Sequence, residues 1–419
     1  MRIAIFTNNY LPNPYGVSGS IESFRKQFEA LGHTVYVFAP NSKGYVDKNE
    51  RVFRYGSIEF KFKNIAFPIA IPYSYKLSRI LKKLELDVIH AQHPNLLGWQ
   101  AQRWAKKKKL PLIFTWHTLY DQYAHFTPWF VPKKIATNWA IRNAVKFANN
   151  ADFVVTPTNS VLEIVCSWGM QNENVEAILT GIEEEKFADA RREKTRGELG
   201  IVQDEIALVL VSRLTAEKNV LFLANCVAKI LKNNLKVYPV KSANGGARPV
   251  KPPVGEATLV SRGKQFNRVK FILAGAGSEL EKMKKIFEAA GVEKQLVYQG
   301  IVLDDQKKNV YAAGDIFVYA SKSETQGMVI SEAMYSGLPI VALRAPGIVD
   351  LVANQISGLL VEEDEEKFVA AILKLIEDEN MRKKLGANAR EIALNHYSAK
   401  KSAAKMLEVY EKAIARKKI

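Results

Sequence analysis

With 419 residues, the chain is too long for one ordinary domain, and two or three domains are expected. Its composition, 47% hydrophobic and 25% charged, is globular and implies no long disordered region, and no apolar window approaches the roughly 20 residues of a membrane span. The formal net charge of +17 indicates a polyanionic partner such as nucleic acid, an anionic membrane or a phosphorylated substrate; the alternative is a solvated lysine-rich face.

Short apolar runs alternate with helical patterns along the chain, which is typical of parallel βαβ units. The strands predicted in the first half are Ile3–Phe6, Val35–Phe38, Val88–Ala91, Leu112–Thr115, Phe153–Thr156 and Glu176–Leu179. Those predicted in the second half are Ile206–Val211, Val269–Ala274, Leu296–Gln299, Ile316–Tyr319, Pro339–Leu343 and Gly358–Val361. Each series suffices for a doubly wound sheet, so the predicted fold class is α/β, with two Rossmann-like domains that face each other across a cleft.

Changes in composition set the predicted domain boundaries. Residues 1–182 form the first domain, a charged stretch at 183–204 forms the linker, and residues 205–397 form the second domain. The remaining residues, 398–419, have the pattern of an amphipathic helix that could pack on either domain. An insertion at 238–268 contains four prolines and no sustained periodicity; such segments are usually functional or disordered.

The start of the chain and its cysteines indicate a compartment. Met1 is followed directly by a strand pattern, without the apolar core or cleavage site of a signal peptide. Cys166 and Cys226 lie in apolar helical patterns, so both are interpreted as small core residues in a reducing environment. We therefore expect the protein in the cytoplasm or at the cytoplasmic face of a membrane.

In open α/β sheets, ligands bind beyond the carboxyl ends of the strands, where helix N-termini offer free amides. After the first predicted strand, Gly16 and Gly19 would let the backbone approach a phosphate, and Ser20 would cap a helix over Ile21–Leu31. The turn is not G-x-G-x-x-G, and no acidic residue follows at the distance that NAD binding requires. Many such turns bind no ligand, so this signal is weak.

The turn after Ile316–Tyr319 carries the strongest signal. Glu324 lies in the turn, Gly327 lets the chain enter a helix that contains Glu332, and Gly337 ends that helix. Each carboxylate can accept several hydrogen bonds, which suits sugar and ribose hydroxyls. The amides at the helix start suit a diphosphate.

The turn after Ile206–Val211 supplies Arg213 and Lys218. Two cations suit a departing nucleoside diphosphate when no metal neutralises its charge, although cations at a helix start are often merely solvated. The chain contains no D-x-D sequence, the usual anchor of a metal–diphosphate complex, so no metal cofactor is expected.

Three histidines follow predicted strands or end them. His117 ends a strand of the first domain, and His90 and His93 form an H-x-x-H pair. No third ligand accompanies the pair, so His90 and His93 are interpreted as cleft-wall or strand-end residues and not as metal ligands.

Together these turns resemble glycosyltransferase family 4, whose retaining members have the GT-B fold. The motifs that carry the resemblance are Gly16-Val17, Thr115-Trp-His117-Thr118, Ser212-Arg213 with Lys218, Gly275-Ala-Gly277, Gly300, and Glu324 with Glu332. They extend over nearly the whole chain, and the E-x7-E element followed by Ala-Met and Gly-x-Pro is the most specific. The chain departs from the family in lacking paired glycines in its first turn and in its insertion at 238–268. The resemblance implies that the last helix crosses back onto the first domain.

The resemblance also implies site roles. Glu324 and His117 would contact the donor sugar near the reacting centre, and Glu332 would bind the ribose. The implied ligands of the donor diphosphate are Gly16, Arg213, Lys218, Gly327, Met328 and Val329. The leaving phosphate would help to deprotonate the acceptor, so Glu324 would not have to act as a covalent nucleophile. The nucleotide sugar is a substrate, and no cofactor is implied.

For the acceptor, the segment that begins at His117 resembles diacylglycerol glucosyltransferases, which implies transfer of a hexose from UDP-glucose to a membrane lipid. Residues 1–150 hold 22 Lys and Arg against 8 Asp and Glu, a net charge of +14, whereas the remainder carries +3. Trp129, Phe130, Lys133 and Lys134 would contact an anionic membrane, unless the aromatic residues belong to the core.

Three alternatives stay open at this level. The acceptor could be a soluble molecule or a glycan, with mannose transferred from GDP-mannose. A nucleotide-sugar 2-epimerase on the same fold would need further carboxylates and histidines around the sugar, and that pattern is not apparent. A nucleic-acid-binding protein without activity would explain the charge, but the chain has no recognised nucleic-acid-binding motif and the donor motifs would be unexplained.

Overall fold

The computed structural model of the chain describes residues 1–13, 16–62, 65–121, 132–237 and 269–417. The chain divides into two compact units. Unit 1 comprises Met1–Glu184, Glu324–Met328 and Asn395–Ile419, and unit 2 comprises Glu185–Ser323 and Val329–Leu394. The predicted insertion at 238–268 and the residues Trp129 and Phe130 lie outside the described residues.

Each unit contains a parallel sheet. In unit 1 the strand order is β3-β2-β1-β6-β7-β8-β9. Its strands are β1 (Arg2–Phe6), β2 (Thr34–Pro40), β3 (Val52–Tyr55), β6 (Val88–Ala91), β7 (Leu112–Thr115), β8 (Phe153–Thr156) and β9 (Val175–Ala177). An antiparallel hairpin consists of β4 (Ser57–Phe62) and β5 (Ile65–Ala70).

In unit 2 the strand order is β12-β11-β10-β13-β14-β15. Its strands are β10 (Ile206–Val211), β11 (Val269–Ala274), β12 (Leu296–Gly300), β13 (Ile316–Tyr319), β14 (Ile340–Leu343) and β15 (Gly358–Val361). Every strand predicted from the sequence is present to within two residues, and the α/β class with two Rossmann-like halves is confirmed. Strand β3 and the hairpin were not predicted from the sequence.

Most of the helices connect one parallel strand to the next, and the last three follow the final strand. Those of the first half are α1 (Val17–Ala30), α2 (Tyr75–Lys83), α3 (Leu97–Lys108), α4 (Lys133–Asn149), α5 (Asn159–Ser167) and α6 (Arg192–Glu198). Those of the second half are α7 (Val220–Val237), α8 (Leu280–Ala290), α9 (Asp304–Ala313), α10 (Met328–Tyr335), α11 (Glu365–Glu377), α12 (Glu379–His396) and α13 (Ala399–Lys417).

The strands could be found in the sequence because both faces of each parallel sheet are covered, so a central strand is apolar throughout. In β1, Ala4 and Phe6 belong to one core cluster, whereas Ile3 and Ile5 belong to the cluster on the opposite face. All four side chains are at most 1% exposed.

The C-terminal helix α13 packs on unit 1, as the family resemblance implied. Met406 and Tyr410 join the core cluster that contains Phe28 of α1. Just before this helix the backbones meet: the Ile182 N–H donates to the Tyr397 carbonyl at 2.7 Å. A Cβ at Gly181 would lie 2.3 Å from the carbonyl oxygen of Ser398, so only glycine permits this approach.

The segment predicted as a linker contains α6, which packs within unit 2. Arg196 is 3% exposed; its guanidinium pairs with Asp315 at 3.1 Å and donates to the carbonyl of Glu205 at 2.6 Å. Arg192 pairs with the same carboxylate at 2.6 Å. Buried arginine with several acceptors is a strong anchor, so α6 is attached firmly to β13 and the start of β10.

Two local predictions were wrong. Helix α1 begins at Val17 and not at Ile21, so Ser20 is inside the helix instead of capping it, and its Oγ lies 2.6 Å from Thr180 Oγ1. Cys166 is exposed, because it lies on the solvent side of α5, whereas Cys226 is buried as expected. Apolar neighbours in sequence do not tell which face of a short helix is covered.

Candidate active site

In unit 1, the candidate site lies at the carboxyl ends of the adjacent strands β1, β6 and β7. His117 follows β7, and Gln92 and His93 follow β6. The His117 Nε2 lies 2.6 Å from Gln92 Oε1, and its Nδ1 lies 3.3 Å from Nε2 of Gln326, which belongs to the segment Glu324–Met328 of the same unit. Both ring nitrogens of His117 therefore have protein partners.

The surroundings of His117 favour the neutral imidazole. Burial, followed by the neighbouring His93 and His90, holds the pKa of His117 well below its usual value. Burial also lowers the pKa of His90 to about 3 and that of His93 to about 4. All three imidazole rings are therefore expected to be neutral near neutral pH.

His90 and His93 have structural partners, in agreement with their interpretation as strand-end residues. His90 is buried between the Tyr410 hydroxyl and Thr115 Oγ1, each 2.7 Å from a ring nitrogen. His93 Nδ1 accepts from the Asn8 backbone N–H at 3.1 Å, which connects the ends of β6 and β1. Among the described residues, no three His, Cys, Asp or Glu side chains are grouped as metal ligands would be.

The first turn leads into α1 through Gly16, which has φ of +47° and precedes the first helical residue. A network of charges fixes the start of this helix. Glu22 accepts from the hydroxyl of Tyr10 and from Arg25 at 2.8 Å. Burial alone would raise the pKa of Glu22, but the hydrogen bonds from Arg25 and Tyr10 hold it below its usual value. The contact of Gly16 with a diphosphate stays a prediction.

The E-x7-E element begins in unit 1. Glu324 is half-buried, and Gly327, with φ of +59°, precedes α10, which starts at Met328. The positive φ turns the backbone so that the first amides of α10, including that of Val329, are at a helix N-terminus, where they can bind an anion. Gln326 is 8% exposed, and its Oε1 is buried and has no hydrogen-bond partner among the residues that the structure describes.

In unit 2, both predicted cations, Arg213 and Lys218, follow the carboxyl end of β10, which is the neighbour of β13 in the sheet. Arg213 is 39% exposed and pairs with Glu217 at 3.3 Å. Burial opposes ionisation of Glu217, yet its own backbone N–H and the charges of Arg213 and Lys218 keep its pKa below the usual value. Ser321 Oγ lies 3.5 Å from the Glu217 carbonyl oxygen and so joins the two turns.

The turn that carries Arg213 is held by close backbone contacts. Gly275 has φ of +137°, and a Cβ there would lie 1.8 Å from the Ser212 carbonyl oxygen. A Cβ at Gly277 would lie 2.1 Å from the Leu214 carbonyl oxygen. Both positions therefore require glycine, which explains the Gly-x-Gly motif after β11 without invoking a ligand.

The second carboxylate, Glu332, lies in α10 and is 8% exposed. Its Oε2 accepts from the buried Tyr311 hydroxyl at 2.7 Å, and its Oε1 lies 3.5 Å from Lys307 Nζ. A carboxylate held in this way is oriented before any ligand arrives. Its binding to a ribose stays a prediction.

Several partners of these groups were not predicted from the sequence. They are Gln92, Gln326, Glu217, Lys307 and Tyr311. Glutamines carry no charge and occur on any surface. The only sequence signal for Gln92 as a site residue was its position at a strand end, one residue before a histidine. Tyr311 and Lys307 lie four residues apart on α9, a spacing that puts both on one helix face.

Unit 1 also has an exposed apolar surface on α4. Ile135 and Trp139 are 62% and 61% exposed and lie one helical turn apart. Lys133 and Lys134 are exposed at the start of the helix, and Arg142 is exposed beyond Trp139. No helix among the described residues is both long and apolar enough to cross a bilayer.

Comparison with known proteins identifies the family. The family model Glycosyltransferase Family 4 matches residues 14–186, and the model Glycosyl transferases group 1 matches residues 255–392. Together they match well over half of the chain. The chain belongs to glycosyltransferase family 4. It is therefore an enzyme, a glycosyltransferase of the hexosyltransferase type.

Relatives of this glycosyltransferase differ in their substrates. An alpha-monoglucosyldiacylglycerol synthase of Streptococcus pneumoniae is 29% identical over 390 residues, 90% of this chain and 78% of that protein. A GDP-mannose-dependent alpha-mannosyltransferase of Mycobacterium tuberculosis is 25% identical over 387 residues, 90% of this chain and 89% of that protein. The solved sucrose-phosphate synthase of Thermosynechococcus elongatus is 16% identical, with a TM-score of 0.76 and 99% of both chains covered, which supports the GT-B fold alone.

Proposed function

We propose that this glycosyltransferase moves glucose from UDP-glucose to diacylglycerol in a membrane, with retention at the anomeric carbon and without a metal. The main support for a lipid acceptor is the exposed surface of α4, in which Ile135 and Trp139 are flanked by Lys133, Lys134 and Arg142. Apolar side chains beside basic ones suit the interface of an anionic bilayer. The similarity to a monoglucosyldiacylglycerol synthase over 90% of the chain supports the same acceptor.

In the proposed reaction the acceptor hydroxyl approaches the anomeric carbon on the face from which the diphosphate leaves. The bond between that carbon and the diphosphate oxygen breaks, the bond to the acceptor oxygen forms on the same face, and the acceptor proton passes to the departing phosphate. Arg213, Lys218 and the amides of Gly327, Met328 and Val329 would stabilise the charge on the leaving group. Glu324 and His117 would bind hydroxyls of the sugar, and Glu332 those of the ribose.

The second candidate is mannosyl transfer from GDP-mannose, and it is favoured by the 25% identical mannosyltransferase. A panel of donors and acceptors decides between the two. We expect product only with UDP-glucose and vesicles that contain diacylglycerol. Product with GDP-mannose, or with a soluble glycan in the absence of vesicles, would contradict the proposal and favour the second candidate.

We expect the double variant Ile135→Glu/Trp139→Glu to bind anionic vesicles at least about tenfold more weakly than the unmodified protein, because two apolar contacts are lost and two negative charges are added. Co-sedimentation with vesicles of phosphatidylglycerol and phosphatidylcholine measures this binding, which should also weaken as salt rises. Val46→Glu is the matched control, since Val46 is exposed in the same unit but lies outside α4.

Two outcomes count against docking through α4. If the unmodified protein stays in the supernatant with anionic vesicles at low salt, the proposal of a lipid acceptor is wrong and a soluble acceptor is favoured. If Val46→Glu weakens binding as much as the double variant does, the docking surface is not on α4.

A further inference from the structure

Gln92 is a buried, neutral partner of a ring that the proposed function places against the sugar. It is 5% exposed, and its Oε1 lies 2.6 Å from His117 Nε2. A carbonyl oxygen can only accept, so this contact requires a proton on Nε2. The other ring nitrogen, Nδ1, faces the amide nitrogen of Gln326 at 3.3 Å, and an amide nitrogen can only donate. The two contacts therefore require the same tautomer.

We propose that Gln92 is a positioning residue that fixes His117 in the neutral tautomer with the proton on Nε2, so that Nδ1 accepts a hydrogen bond from a hydroxyl of the donor sugar. In the chain without donor, the amide of Gln326 occupies the place of that hydroxyl. The inference rests on the proposed function only for the identity of the group that replaces Gln326. In this tautomer Nδ1 of His117 accepts a hydrogen bond, so the site favours a donor sugar with a hydroxyl group at that position.

A neutral partner suits this role better than a carboxylate. A carboxylate on Nε2 would also accept from the ring but would favour the imidazolium, which has two donors and no acceptor. Among the residues that the structure describes, the titratable groups that act on His117 are His93 and His90, both at the end of β6, and burial favours the neutral form of both. His93 is oriented by the Asn8 N–H on its Nδ1, so it presents no charge to His117. Gln92 and Gln326 are therefore the described partners that set the tautomer of His117, and Gln92 makes the shorter of the two contacts.

The first test needs no substrate. In protein labelled with ¹⁵N-histidine, a long-range ¹H–¹⁵N spectrum separates protonated from unprotonated ring nitrogens, and His117→Asn identifies the resonances. We expect His117 to carry its proton on Nε2 in the unmodified protein and in Gln326→Met, and to become a mixture of tautomers in Gln92→Met. A proton on Nδ1 in the unmodified protein, or an unchanged spectrum in Gln92→Met, overturns the proposal.

The second test separates positioning from packing. Gln92→Met has nearly the same size, and we expect kcat to fall about tenfold at all pH values with the KM for the donor nearly unchanged, as for loss of one hydrogen bond. Gln92→Glu keeps the acceptor but raises the pKa of His117, so we expect activity near that of the unmodified enzyme at high pH and a loss as pH falls through the raised pKa.

The outcomes of the two tests are distinct. Equal losses at every pH in Gln92→Glu and Gln92→Met would mean that Gln92 only packs, and the proposal would be wrong. If the unmodified protein transfers no sugar from any donor, the proposed function fails, but the tautomer of His117 and its dependence on Gln92 are still decided by the spectra.

Discussion

Glu324→Ala is expected to reduce kcat at least about a hundredfold and to leave the melting temperature within a few degrees of that of the unmodified protein. Glu324 is only half-buried and lies in the turn before α10, outside the interior of any helix or strand, so we expect its truncation to cost little stability. A hydrogen bond made by a charged group contributes about 1.5–3 kcal/mol, which is roughly ten- to hundredfold in rate for each bond to the sugar. Steady-state kinetics with UDP-glucose and thermal unfolding measure both effects.

Glu332→Ala should differ from Glu324→Ala in which kinetic constant changes. A ribose contact is far from the reacting carbon, so its loss should raise the KM for the donor more than it lowers kcat. Glu379→Ala is the control, because Glu379 is an exposed carboxylate at the start of α12 that pairs with the likewise exposed Lys383. Turnover of Glu324→Ala near that of the unmodified enzyme would contradict the assignment.

The fold could be predicted from the sequence because burial on both faces of a parallel sheet makes the central strands continuous apolar runs. Edge elements lack this signature. In β3 only Tyr55 is buried. In β4 apolar and polar residues alternate, but the pattern is too short to distinguish a strand from a loop. The start of α1 was misplaced because Ser20 is a favourable capping residue by type, whereas the positive φ of Gly16 starts the helix four residues earlier.

The candidate site could be predicted where its residues are charged and precede helices. Glu324, Arg213 and Lys218 are noticed because a charge at a strand end is unusual, and the E-x7-E spacing is specific. Gln92 and Glu217 could not be assigned in the same way, since their roles depend on which side chain lies opposite. For Glu217 that side chain is Arg213, and for Gln92 it is His117. Pairing between residues distant in sequence is a property of the fold.

The Arg213–Glu217 pair bears on how the diphosphate would be neutralised. In the absence of donor, Arg213 already has a carboxylate at 3.3 Å, so its charge is partly compensated. A diphosphate carries more charge than one carboxylate and accepts bidentate contacts from a guanidinium, so it can compete for Arg213. Lys218 would add a second positive charge. The cations of this turn would then take the place that a divalent metal has in other transferases.

Arg213→Ala is therefore expected to reduce kcat/KM for the donor about a hundredfold or more, and neither Mg²⁺ nor Mn²⁺ should restore it. Arg213→Lys should recover only part of the loss, because an ammonium group keeps the charge but not the two parallel hydrogen bonds. Lys229→Ala is the matched control, since Lys229 is a cation of the same unit, similarly exposed and paired with Glu365. The unmodified enzyme should keep its full rate in EDTA. If its turnover disappears in EDTA and returns with Mg²⁺ or Mn²⁺, a metal and not Arg213 supplies the decisive charge.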